Sequence, residues 1–217
     1  MFFKFLPRLV LLLVCAGGTA SADVLYTTFG PGDAFNSHTL QYVGDGAAVG
    51  QSFLNRQVAN RFTVASEAEV TGYRVAISHF TGSGPGDGLL SLWAGDTAPG
   101  TLLEAGILFD TGVGTAGIAT VSSTFHPLLS PGNTYWLVLS ATSPELYRWY
   151  FALTPSPAGS EILYRDNSDP AWNSAGTDAS AFEVNGVIGG VPEPGAWLLL
   201  ASTLGLTAMT RARWRAR

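Results

Sequence analysis

TYWLVLS, residues 134–140, places apolar or aromatic side chains on both faces of an extended chain. Such a strand belongs in the middle of a sheet that is covered on both sides. Residues 70–80, VTGYRVAISHF, show the complementary pattern. Thr71, Tyr73, Val75, Ile77 and His79 share one face, the period of two expected of a strand with one side toward a core. Working outward, similar short runs occupy residues 24–29, 50–53, 60–64, 89–93, 102–109, 120–125, 147–153, 161–165 and 181–184. Pro99-Gly100 and Pro131-Gly132 mark tight turns between them. No window before the C-terminal end carries a helical period. Ten or eleven short strands separated by Gly/Pro-rich turns predict an all-β fold: a two-sheet β-sandwich, jelly-roll-like, with a barrel as the alternative.

Composition narrows the class. Only 12% of the 217 residues are charged, about half the usual share, and 12% are aromatic. That excludes a disordered acidic tail and a coiled coil. Residues 23–190 hold five arginines, no lysine and fifteen acids, a formal charge of −10. Such a surface repels phosphate polymers, so no nucleic-acid partner is expected. Residues 81–88, TGSGPGDG, lack lysine and precede a strand, so they read as a loop rather than a phosphate cradle.

The two ends differ from this body. Lys4 and Arg8 precede a short apolar run and then Ala20-Ser21-Ala22. This is the layout of a secretory signal peptide, residues 1–22, with an N-terminal signal helix and cleavage after Ala22. Cleavage removes Cys15, the only cysteine, so the mature chain has neither disulfide nor thiolate chemistry. At the other end, residues 186–190 read as a linker. Pro192-Glu193-Pro194 then breaks the chain, residues 195–210 carry no charge, and Arg211, Arg213, Arg215 and Arg217 close it. A helix over 195–210 spans about 24 Å, slightly less than a hydrocarbon core. This C-terminal transmembrane-like helix would keep its basic end in the cytoplasm. Both ends predict that residues 23–190, with a sandwich domain over 23–185, lie outside the cytoplasmic membrane.

Residues 191–217 resemble the PEP-CTERM sorting signal of Gram-negative bacteria in motif, apolar helix and basic end together. The resemblance implies processing near Pro192-Glu193-Pro194 by an exosortase, a membrane-embedded protease-transpeptidase. It also implies transient residence in the inner membrane, delivery to the cell surface or extracellular matrix, and association with exopolysaccharide and biofilm. Signal peptidase and exosortase are then the processing partners. LWAGDTAPGTLL and LSPGNTYWLVL resemble segments of bacterial surface jelly-roll domains of the choice-of-anchor kind. That likeness implies a sandwich body and carries no particular activity with it.

Residue patterns that carry chemistry are sparse. No nucleophile elbow, zincin, Walker or EF-hand motif occurs, and His38, His79 and His126 share no ligand spacing. No catalytic residue is assigned and no cofactor is expected. Asp166 and Asp169, with Asp178 beyond, supply hard oxygens and form the one candidate structural calcium group; otherwise they are turn formers. Trp172, Tyr150 and Tyr164 are candidate stacking residues for sugar rings, with Trp172 read as an exposed loop residue and Trp149 as core. The expected role is a non-catalytic surface or matrix protein, with a carbohydrate-binding module as the alternative. A glycan-acting enzyme, which needs two carboxylates about 5–10 Å apart in a cleft, is the least favoured.

Overall fold

A computed structural model describes residues 22–81, 88–109, 114–141, 144–153, 155–167 and 169–189. The signal segment up to residue 21, most of the loop at 81–88, the Pro192-Glu193-Pro194 motif, the apolar run 195–210 and the four terminal arginines lie outside the described residues.

The described chain is built of strands joined by tight turns: β1 (Asp23–Thr27), β2 (Phe35–Gly44), β3 (Gln57–Thr63), β4 (Ala68–Thr81), β5 (Gly88–Ala94), β6 (Thr101–Phe109), β7 (Gly117–Ser122), β8 (Leu128–Leu129), β9 (Thr134–Ala141), β10 (Leu146–Ala152), β11 (Ile162–Asp166), β12 (Asp169–Gly176) and β13 (Phe182–Ile188). One 3-10 turn, Gly46–Val49, interrupts them. All pairings are antiparallel. One sheet runs β1-β13-β4-β10-β2, with β7 and β8 on the far edge of β4. The other runs β12-β11-β3-β9-β5-β6.

The two sheets pack face to face, as an all-β sandwich. Tyr73, Val75 and Ile77 of β4, Trp149 of β10 and Phe182 of β13 meet Val58 and Phe62 of β3, Leu137 and Leu139 of β9, and Leu90 and Leu92 of β5 in one core. The ring centres of Phe62 and Phe182 are 6.0 Å apart, edge to face. Burying each such side chain contributes about 1.5–3 kcal/mol, and that is what closes the sheets. β9 is buried on both faces, as its sequence predicts. Its outward side chains Trp136 and Val138 join Ala59 and Leu163 in a second, smaller cluster.

Departures from the sequence reading fall at the edges. Residues 50–53 do not form a strand. The 3-10 turn ends there in the left-handed conformation at Gly50, φ 71°. β2 and β12, each an outermost strand of its sheet, do not show apolar alternation: β2 sets Asn36, Ser37, His38 and Thr39 side by side, and β12 reads DPAWNSAG. β12 also contains Pro170, which a strand tolerates only where one side of its backbone goes unpaired. Trp172 therefore lies on a strand rather than in a loop. β13 reaches Ile188, which pairs with Ala68, so residues 186–188 of the expected linker are part of the sheet.

Candidate functional site

A concavity lies where the β11–β12 hairpin meets the segment leading into β3. It is an open cleft of about 260 Å³ between Gln51, Ser52, Phe53 and Arg56 on one side and Tyr164, Asp166, Asp169 and Asn173 on the other.

Local sequence explains how each wall is held. Asp45 Oδ1 accepts from Ala47 N at 2.9 Å and starts the 3-10 turn. Gly46 N then donates to Phe53 O, and Gln51 N to Gly46 O. A Cβ at Gly46 would lie 2.8 Å from the Phe53 ring, so only glycine allows this return. Asn55 adopts φ 50°, a conformation that asparagine tolerates better than most residues, and it turns the chain into Arg56. On the opposite wall, Tyr164 pairs with Asn173 and Asp166 with Asp169 across the hairpin. Because successive strand residues alternate, Tyr164 and Asn173 face the cleft while Leu163 and Trp172 join the cluster on the opposite face of the sheet.

The Arg56 guanidinium carbon stands 3.7 Å from the centre of the Phe53 ring and 5.0 Å from that of Tyr164. Its Nη2 is 3.4 Å from Asp166 Oδ2. The rim is more solvated. Asp169 is exposed and accepts from Ala171 N and Asn173 Nδ2, both at 3.0 Å. Aromatic rings, a fixed cation, a carboxylate and amides around one opening suit a neutral, hydroxyl-rich ligand.

The residues predicted to bind are only partly assembled here. Tyr164, Asp166 and Asp169 meet in the cleft. Tyr150 does not reach solvent: it is 4% exposed, its Oη lies 2.8 Å from Ser78 Oγ, and Phe29, Phe35 and Leu40 cover it. The sequence reading of Tyr150 as a stacking platform is therefore corrected, since β2 and the turn before it fold over its ring. Trp172 is half-buried on the reverse face, with the Arg165 guanidinium 4.5 Å over its ring. The three aspartates proposed for calcium are not gathered into a metal-holding group among the described residues. Arg56 provides the positive charge beside Asp166, and Asp178 follows the end of β12. Phe53, Arg56 and Asn173 were not legible as site residues, because residues 50–53 read as a strand and β12 read as a turn.

Two further polar clusters lie outside the cleft. Glu104 of β6 is buried yet accepts from Tyr73 Oη at 2.6 Å, Ser123 Oγ at 3.0 Å, Thr124 N at 2.6 Å and Phe125 N at 3.2 Å. Burial opposes its charge, but these donors outweigh that and hold its pKa below the ordinary carboxylate value. Burial, and after it the same contact, pushes the Tyr73 hydroxyl pKa upward. His79 of β4 is buried and stacks on Tyr147 at 4.8 Å. Its Nε2 hydrogen-bonds Glu145, while its Nδ1 has no hydrogen-bond partner among the described residues.

No protein-family model matches this chain, and a search of curated proteins finds no match.

Proposed function

We propose that this chain is an exported cell-surface or extracellular-matrix protein whose sandwich, jelly-roll-like in kind, does no catalysis. The N-terminal segment directs export. The PEP-CTERM-like tail, with Pro192, Glu193 and Pro194 as its motif, passes through the inner membrane and is processed by an exosortase before release to the surface. The observation that best supports this reading is where the sheet begins and ends. β1 starts at Asp23, immediately after the expected cleavage at Ala22, and β13 ends at Ile188, just before the motif. These two strands pair with each other, so removing either terminal segment leaves every described strand in place.

The test is the intact mass of the protein recovered separately from membrane, outer surface and medium. Loss of residues 1–22 and of the run after Pro194 from the surface form is the expected result. A mature chain that keeps residues 195–217 in the membrane fraction overturns sorting and leaves a plain anchor.

The cleft supports a second reading, binding of an exopolysaccharide. Tyr164 offers an aromatic surface there beside Gln51, Ser52, Asp169 and Asn173, which is the mixture that recognises sugar rings. Asp166 and Asp169 are two carboxylates in one cleft, the feature a glycosidase needs. Their oxygens, however, accept from Arg56, Asp169 N, Ala171 N and Asn173, so they serve to hold the hairpin, and binding without hydrolysis is favoured. Retention of the chain on its host's polysaccharide, lost in Tyr164→Ala, is expected. Equal retention of the two proteins removes the cleft as the binding site.

A further inference from the structure

We infer that, until its tail is processed, the sandwich stands on a lipid surface through the end at which the chain leaves β13, with the cleft facing away. This inference rests on the reading that residues 195–210 enter the membrane. Phe125 and Leu128 are 66% and 59% exposed, the highest values among the described large apolar residues apart from Leu153. They are held out by built structure. Glu104 fixes the backbone N–H groups of Thr124 and Phe125, and Ser123 Oγ accepts from His126 N at 3.0 Å. Pro127 O accepts from Val70 N at 3.1 Å.

Register brings further apolar side chains to the same place. Leu128 and Val187 flank Glu69 on either side of β4, so the three share one face. Ile188, also exposed, is the last residue of β13. The uncharged run 195–210 begins only seven residues later, a tether of at most about 25 Å. An exposed apolar cluster at the root of so short a tether is placed against the bilayer that the tether enters. Glu69 lies within the cluster, with His126 Nδ1 3.9 Å away, and Glu67 O holds Gly189 N. These acids select an uncharged lipid surface over an anionic one.

β4 also sets the orientation. It starts at this cluster and ends at Thr81, which pairs with Leu146. Leu146 pairs with Gly44, and Gly44 bridges Arg56 in the cleft wall. Thirteen steps along a strand separate cleft and cluster by about 40 Å.

The experiment uses the signal-cleaved chain, residues 23–217, which has no cysteine of its own, with one introduced thiol, reconstituted into phosphatidylcholine liposomes, floated and labelled with a water-soluble maleimide. Phe125→Cys and, independently, Leu128→Cys are expected to label roughly tenfold more slowly in liposomes than in detergent. Leu54→Cys, beside the cleft, is expected to label equally in both. Replacing part of the phosphatidylcholine with phosphatidylglycerol is expected to weaken the protection. Flotation with full labelling at 125 and 128 overturns the lipid contact and leaves the tail reading standing. Failure to float overturns the tail reading and this inference with it. Slow labelling in detergent too, with a doubled mass, assigns the cluster to a second copy of the chain and overturns the lipid contact.

Discussion

Glu104 and Asp169 are both carboxylates that accept several hydrogen bonds, yet their surroundings give them opposite uses. Glu104 is enclosed, and every donor around it belongs to a core strand or to the turn at 123–125. Asp169 lies at the solvent rim of a cleft, held by its own hairpin. Removing a dry, fully engaged carboxylate leaves buried donors with nothing to bond, whereas a rim carboxylate is replaced by water. A cluster of polar contacts is therefore evidence of architecture where it is buried and saturated. It becomes evidence of a binding surface only where an opening adjoins it.

The largest effect is expected at Glu104. Glu104→Ala strands Tyr73 Oη, Ser123 Oγ and two backbone N–H groups, and is expected to cost about 3–5 kcal/mol, read from the urea midpoint at pH 7. A loss below about 1 kcal/mol would mean that the turn finds other partners and that Glu104 is no anchor. Next in size is the acid dependence. The folded-state pKa of Glu104 is lowered, so the unfolded chain binds more protons as acid is added. The contribution of Glu104 is complete above the ordinary Glu pKa of about 4.3 and declines as pH falls below it. Glu104→Gln is therefore expected to flatten the fall in stability between pH 5 and pH 3, and an unchanged slope would assign that fall to other acids.

The cleft should respond less in stability and more in binding. Arg56→Ala removes the contact between Arg56 and the nearly buried Asp166 and is expected to cost about 1–3 kcal/mol. A measured loss near zero would show that Asp166 relaxes into water. Trp172→Ala tests the two faces of the hairpin against each other. Because Trp172 lies on the reverse face, polysaccharide retention should remain at the level of the unaltered chain, and a drop matching that of Tyr164→Ala would move the site across the sheet. The smallest effect is expected at Asp169→Asn, within about 0.5 kcal/mol of the parent by thermal unfolding. A cost comparable to that of Glu104→Ala would erase the distinction drawn between the two carboxylates.

Much of the sandwich was readable because central strands must bury side chains. Residues 134–140 and 70–80 announce themselves through saturation and alternation, and both are core strands in the structure. β2 and β12 were not readable for the converse reason: an edge strand owes its conformation to hydrogen bonds with one neighbour, and neither strand alternates apolar and polar residues. The site suffered the same way. Tyr164 and the two aspartates stood out by residue type. Phe53 and Arg56 gained meaning only when a 3-10 turn, closed on Gly46, folded them against the hairpin. Tyr150 was misread because alternation shows that two faces differ and cannot show that a second layer, here Phe29, Phe35 and Leu40, covers the outer one.

Local order alone determined the class of fold, the acidic body without lysine, and the contrast between that body and its apolar ends, because periodicity and charge are properties of neighbours in the chain. Tertiary structure decided which polar groups are saturated and which stay open, that Tyr164 and Trp172 face opposite ways, and that Phe125, Leu128, Val187 and Ile188 gather where the chain leaves the sheet. Those outcomes depend on pairing between strands as distant as β4 and β13, and no local pattern carries the register that joins them.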